Sequence, residues 1–223
     1  MQGERGAAFY DVDGTLIKTN VVHAFAFYSL NTGSLLDSAA RFAKTVVGIP
    51  FFWALDQYSR KAFNDAFYLM YKGLSEDRLL MLSEELFEKV IQPSIYPGGV
   101  DLIQKSRAAG NRQVLVSGAL DFTVRPLARY LGVDDLIANH MEFINGYATG
   151  RVIKPLLAGA QKAVAIRAYC EKHHLSLNEC SAYSDSYSDY VMLAVVGKPA
   201  AVNPDLRLKN VARSHDWPII DLS

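Results

Sequence analysis

Two aspartates separated by one residue, Asp11 and Asp13, follow a short apolar run at 7–10 and precede Gly14 and Thr15. Carboxylates are expensive in a protein interior unless a metal or hydrogen-bond donors hold them. Two of them at the carboxyl end of a buried strand stand where open α/β sheets place their ligands. An ordinary Asp-Gly turn would account for the pair alone, yet three later stretches supply companions. Ser117 and Gly118 close a second strand-like run at 113–116, and Lys162 lies at the start of a helical stretch at about 160–173. Asp185 and Asp189 follow a third run at 180–183. Carboxylates, a hydroxyl, a backbone N–H at a strand-to-helix turn and a lysine are together the parts that phosphoryl chemistry needs.

Phosphate monoesters hydrolyse so slowly unaided that enzymes accelerate the reaction by up to about 10²¹. Charge neutralisation, a positioned nucleophile and leaving-group protonation must therefore coincide. Asp11 suits the nucleophile, forming an aspartyl-phosphate. Asp13 suits the group that protonates the leaving oxygen and then deprotonates the attacking water. Mg²⁺ fits an all-oxygen site of one or two carboxylates with phosphate and water. Asp185 is the second carboxylate, and Asp189, one helical turn on, joins or orients that shell. Ser117 and the Gly118 N–H form a phosphate site. Lys162 balances the remaining phosphate charge, with Lys154 as its competitor.

The surrounding pattern must bring these residues together. After the first strand, a helical region runs to about residue 93 without internal repeat: helices at 21–30 and from Ser34, a break at Gly48-Ile49-Pro50, an aromatic run at 51–55, and a helix beginning at Ser75. The chain then alternates: helix 100–109, strand 113–116, helix 122–131 with Pro126 near its first turn, and strand 136–139. A hairpin at 141–153 turns on Asn145-Gly146. Helix 160–173, strand 180–183, helix 187–196, strand 199–202, helix 204–214 and strand 217–220 complete it. Such alternation predicts an α/β fold, a Rossmann-like parallel sheet with helices on both faces. The catalytic core would be 1–16 and 96–223, with a helical cap inserted at 17–95 that opens and closes over the site.

Composition narrows the class. Of 223 residues half are hydrophobic, and 23 basic residues balance 23 acidic ones, so no global field draws in nucleic acid or an anionic membrane. Cys170 and Cys180 fit no metal or redox spacing and read as buried thiols. No window reaches the length of a membrane span, and the polar start lacks a signal-peptide core. A cytoplasmic enzyme is the expectation.

The stretches 11–15, 114–118, Lys162 and 183–189 resemble, in order, the four motifs of the haloacid dehalogenase (HAD) superfamily. The helical block resembles the C1 cap of its subfamily IB, the phosphoserine-phosphatase-like branch. The resemblance runs from about 7 to 218. It implies that Asp11 is the nucleophile, Asp13 the acid/base, and Ser117, Gly118 and Lys162 the phosphate binders. Asp11, the Asp13 backbone carbonyl and Asp185 would ligate Mg²⁺, with Asp189, Ser188 and Thr15 in support. The chain also departs from that branch. Phosphoserine phosphatases of this kind carry a glutamate where Asn20 stands, and a cap arginine where Phe67 stands. Phosphoserine's two charged groups would be left unpaired, at a cost of several kcal/mol in a closed site. Ser188 replaces a usual asparagine.

Three readings of function follow. The first is a Mg²⁺-dependent phosphatase for an organic or lipid-like phosphate monoester. A density of aromatics in the cap (among them Phe25, Tyr28, Phe42, Phe51, Trp53, Phe67 and Tyr68) favours it, with peripheral membrane contact left open against plain helix packing. The second uses the same site as a phosphotransferase, or as a phosphoserine or histidinol-phosphate phosphatase. The third is a noncatalytic, phosphate-responsive regulatory module. His23, His140, Arg125, Arg129 and Tyr187 carry no demand for catalysis; the two arginines read as surface ion pairs.

Overall fold

The computed structural model describes residues 6–31 and 66–222. The aromatic run at 51–55, the helix expected from Ser34, and Phe42 lie outside the described residues. Strand β1 (Gly6–Tyr10) is buried along its whole length. It lies between β2 (Asn111–Leu120) and β6 (Ser181–Ser184), parallel to both. With β3 (Asp135–Asn139), β7 (Lys198–Val202) and β8 (Ile219–Ile220) these form a six-stranded sheet in the order β3-β2-β1-β6-β7-β8. Every pairing in it is parallel, so the fold is the expected Rossmann-like α/β sheet. From β1 the chain builds outward one way through β2 and β3, then returns to the other side of β1 with β6. That reversal makes the crevice beyond β1, β2 and β6 the ligand position of an open parallel sheet.

Strand periodicity divides the interior into two layers. Ala8 and Tyr10 face one core and Ala7 and Phe9 the other. The second core is closed by Ile166 of α5 (Ala160–Lys172), Met192 of α6 (Tyr190–Ala194) and Leu208 of α7 (Leu206–Ser214). The first holds Ile103 of α3 (Pro97–Ala108), Leu127 of α4 (Asp121–Leu131), Leu79 and Leu82 of α2 (Glu76–Leu86), and Phe25 and Tyr28 of α1 (Val21–Asn31). Helices α1 and α2, which lie between β1 and β2 in the chain, therefore share one interior with the sheet.

Several boundaries differ from the periodicity. Helix α3 starts at Pro97, because proline at the first helical position gives up no intrahelical bond. Strand β2 does not stop at Ser117-Gly118; it runs on to Leu120, with its register to β3 shifting between Val116 and Leu120. Pro126 sits inside α4 and not at its start. The helix expected over 187–196 is a 3₁₀ turn, Tyr187–Asp189, followed by the short α6. Strand β8 is two residues, short of the four expected at 217–220. The Ser75 cap is present, its side chain accepting from the Arg78 N–H, with Glu76 and Asp77 in the first turn. The hairpin of β4 (Met141–Ile144) and β5 (Tyr147–Val152) turns on Asn145 and Gly146, both at positive φ, which is the backbone a two-residue Asn-Gly turn demands.

The hairpin is also tied to residues 73–76. Gly73 N–H donates to the Ala148 carbonyl at 2.8 Å, Ala148 N–H to Leu74 at 2.8 Å, and Glu76 N–H to Gly146 at 2.9 Å. Arg129 on α4 pairs with Glu84 on α2, and the Phe87 and Tyr130 rings meet at 5.4 Å.

Candidate active site

The site grows from the turn after β1. The Val12 carbonyl accepts from the N–H groups of Thr15, Leu16 and Ile17, and Gly14 N–H donates back to Ile17. This compact turn projects Asp11 and Thr15 into the space beyond the sheet edge. Asp11 and Thr15 are buried, and Asp13 is half-buried. Gly14 has φ +80°, and a Cβ there would stand 2.2 Å from Asp185 Oδ2. The glycine is what lets the first and last acidic stretches meet.

They meet through Thr15. Its Oγ1 lies 3.0 Å from Asp11 Oδ2 and 3.1 Å from Asp185 Oδ1, and it accepts the Asp185 N–H at 3.0 Å. One hydroxyl carries one proton and can donate to only one of the two carboxylates at a time. On the other side, Lys162 Nζ donates to Asp11 Oδ1 at 2.6 Å and to Asp189 Oδ2 at 2.7 Å, all three groups buried. Burial alone would lower the Lys162 value; the Asp11 and Asp189 carboxylates outweigh it and hold the ammonium above the ordinary lysine range. Lys154, the competitor, is exposed beyond β5.

Asp189 is buried on the Lys162 side of the site. Its Oδ2 accepts from Lys162 and, at 2.9 Å, from Ser184 Oγ. It is the lysine's anchor, and Ser184 in turn is its own support. Ser188 bonds Ser186, Oγ to Oγ at 3.0 Å.

Ser117 is fully buried at the irregular part of β2, where the ladder to β3 skips from Val116 to Leu120. Its Oγ accepts the Ala119 N–H at 3.0 Å. An acceptor in that bond, the hydroxyl keeps its own proton for a second partner. Two residues that sequence reasoning missed hold the next carbonyl. Asn139 Nδ2, at the end of β3, donates to Gly118 O at 2.7 Å, and the Tyr68 hydroxyl donates to the same oxygen. Asp205 was missed as well: its Oδ2 accepts the Tyr187 N–H at 2.8 Å and its own N–H donates to the Asp185 carbonyl at 2.7 Å, fixing the last loop. The available signal was a short polar residue, at the end of β3 for Asn139 and at the cap of α7 for Asp205.

Charge decides what else the site accepts. Asp11 and Asp189 share the Lys162 ammonium, and Asp185 joins Asp11 through the Thr15 hydroxyl. Burial first, then the neighbouring Asp11 charge, pushes the Asp185 carboxyl up to about 8. Burial likewise pushes Asp11 upward, and Lys162 pulls it back. Two adjoining carboxylates in excess of the available positive charge fit a hard divalent cation with oxygen ligands. Among the described residues no three His, Cys, Asp or Glu side chains form a metal cluster, so backbone and water oxygens would complete such a shell.

The other singled-out residues find ordinary partners. His23 Nδ1 bonds Asn20 Oδ1 at 2.9 Å, and His140 lies 3.2 Å from Asp121. Arg125 pairs with Asp121 at 2.6 Å and Arg129 with Glu84, the surface ion pairs expected. Asn20 Oδ1 accepts the Val22 N–H at 3.1 Å, capping α1. Phe67 packs in the first core, 5.6 Å from Phe25 and 6.1 Å from Tyr71. Tyr187 is exposed and stacks on Tyr190 at 6.0 Å. Cys170 and Cys180 are free and buried.

A parallel sheet with a DxDGT turn on its central strand, and a serine, a lysine and an aspartate brought to it from later strands and helices, defines a hydrolase class. The chain belongs to the haloacid dehalogenase-like hydrolase family, whose model matches residues 8–194. It is 33% identical to the phosphoserine phosphatase SerB1 of Mycobacterium tuberculosis over 96% of this chain and 70% of that protein. It is 26% identical to a histidinol-phosphatase of Neisseria meningitidis serogroup C, covering 97% and 99%. A solved protein of unknown function from Bordetella pertussis Tohama I superposes with a TM-score of 0.84 at 26% identity, over 98% and 99% of the two chains. No helix among the described residues is long and apolar enough to cross a membrane.

Proposed function

We propose that this HAD-family phosphatase hydrolyses a small phosphate monoester through an aspartyl-phosphate on Asp11, with Mg²⁺ held by Asp11, Asp185 and the Asp13 backbone carbonyl. The observation that carries this reading is the buried pair Lys162–Asp11 beside Thr15 and Asp185. It leaves one carboxylate oriented, flanked by an ammonium, and facing a surplus of negative charge suited to a cation. When bound, Mg²⁺ would supply charge neutralisation for the phosphate oxygens.

The chain's own groups do the rest. Ser117 donates its hydroxyl proton to a phosphate oxygen, and Lys162 neutralises another while steering Asp11 toward phosphorus. Asp11 attacks and the P–O ester bond breaks as Asp13 protonates the leaving oxygen. Asp13 then takes a proton from the water that cleaves the acyl phosphate, releasing inorganic phosphate. The insertion at 17–95 acts as the cap that limits access.

For substrate, Asn20 and Phe67 bear on the choice. Asn20 is engaged at a helix cap and Phe67 in the core, so neither supplies a charge for phosphoserine's amino or carboxyl group. An organic phosphate without those charges is the reading we favour. The lipid-like version draws less support, because Phe25, Tyr28, Phe67, Tyr68 and Tyr71 are buried against one another. A second reading, phosphoserine or histidinol phosphate, is favoured by the names of the relatives above. One experiment addresses both: kcat/KM with Mg²⁺ for wild type and Asp11→Asn on phosphoserine, histidinol phosphate, sugar phosphates and an aryl phosphate. Asp11→Asn should lose at least about 10³-fold on all of them; wild-type turnover by that variant would end the covalent mechanism. A preference for phosphoserine above about 100-fold, roughly 2.7 kcal/mol, would replace the favoured substrate with the second reading.

A further inference from the structure

The Gly118 carbonyl is held from two sides. Asn139 Nδ2 reaches it from β3 at 2.7 Å, and the same side chain accepts the Leu157 N–H at 2.7 Å, fixing its own orientation. The second donor is the Tyr68 hydroxyl, 50 residues earlier in the chain and on the inserted block. Tyr68 is 2% exposed, and its ring is set by Phe67 at 5.7 Å and Tyr71 at 6.3 Å. A carbonyl has two lone pairs, so both donors are accommodated. The other end of the same peptide is Ala119 N–H, which donates into Ser117 Oγ at 3.0 Å. Rotating that peptide would withdraw the N–H from Ser117 and release the serine rotamer.

We propose that Tyr68 is a positioning residue for phosphate recognition: by donating to Gly118 O together with Asn139, it locks the Gly118–Ala119 peptide and thereby aims the Ser117 hydroxyl proton at the substrate phosphate. The proposal rests on the phosphatase reading for what Ser117 binds. It makes the inserted block part of phosphate binding and not only of leaving-group selection. The loss of one hydrogen bond among two predicts a moderate effect that falls on binding. Tyr68→Phe keeps the ring and its packing and removes the donor alone.

The test is calorimetric titration of inorganic phosphate into the full chain with Mg²⁺, alongside kcat and KM for an aryl phosphate. Tyr28→Phe is the control: it removes a hydroxyl from the same aromatic cluster, where Tyr28 bonds Thr123 at 3.2 Å. Tyr68→Phe should weaken phosphate binding and raise KM by about 3–10-fold with kcat within about twofold, while Tyr28→Phe leaves both constants at wild-type values. Equal phosphate affinity in Tyr68→Phe and wild type would overturn the proposal, as would an equal loss in Tyr28→Phe, which would mark a general effect of the aromatic cluster. Because affinity is read without turnover, wild-type chain that binds phosphate but hydrolyses no ester would sink the phosphatase reading while leaving the clamp standing.

Discussion

Gly14 is the residue on which the two ends of the site depend. At φ +80° a side chain costs about 1–2 kcal/mol, and a Cβ would collide with Asp185 Oδ2 at 2.2 Å. Gly14→Ala should therefore fold with a melting temperature lower by roughly 3–8 °C and lose at least about 100-fold in kcat, read by thermal melt and aryl phosphate turnover. Wild-type kcat in that variant would mean that the Asp185 position does not govern the chemistry. Much at this scale was legible in sequence, because Asp11, Asp13, Gly14, Thr15 and Lys162 are displayed by type and spacing. Asn139 and Tyr68 were not, since their shared partner is a backbone carbonyl 21 and 50 residues away and no side-chain pattern advertises it. For Asp189 the one-turn spacing from Asp185 suggested a supporting place, but its partners Lys162 and Ser184 could not be read from that spacing.

Among the elements, β2 and β3 carry a polar network away from the site. Arg112 donates to Asp135 at 2.8 Å and to the Tyr169 hydroxyl at 2.9 Å, and Tyr169 donates to the same Asp135 oxygen at 2.5 Å. Burial works to raise the Asp135 value, but the Tyr169 and Arg112 bonds outweigh it and hold the carboxyl below its ordinary range. A depressed carboxyl stabilises the fold above its unfolded value of about 3.9, and that contribution is lost as pH falls through the lower folded value. The melting-temperature gap between wild type and Asp135→Asn should be constant above about pH 5 and shrink progressively below about pH 4. With the side chain about a third exposed, solvent screening keeps the gap small. A gap that widens on acidification would refute the assignment. The element pattern was readable where local chemistry dictates conformation, as in the Asn145-Gly146 hairpin and the Ser75 cap. It failed where tertiary pairing overrides local signals: Ser117-Gly118 looks like a strand end, yet pairing with β3 draws the chain on to Leu120.

For the whole molecule, the question is how much of the insertion can move over the site. Its two connections to the sheet are bonded to each other, Lys18 N–H to Ser94 O and Tyr96 N–H to Leu16 O, both at 2.9 Å. Residues 73–76 are joined to the β4–β5 hairpin by three backbone hydrogen bonds, and α2 faces α4 through Arg129–Glu84 and the Phe87–Tyr130 rings. Opening this face would break those bonds and expose part of a shared aromatic core containing Phe25, Tyr28, Phe67, Tyr71 and Phe122. Buried rings of this size are costly to expose. The side of the insertion next to the hairpin should then behave as part of the sheet domain and not as a swinging lid. Hydrogen exchange at the Gly73, Glu76 and Ala148 amides is the direct measurement, because each donates one of the joining bonds. Adding Mg²⁺ with orthovanadate, a mimic of bound phosphate, should leave their protection within about threefold of the free protein. A rise of more than about tenfold at all three would show this face opening in the free state and closing on the ligand, and the whole insertion would then have to be treated as the moving cap.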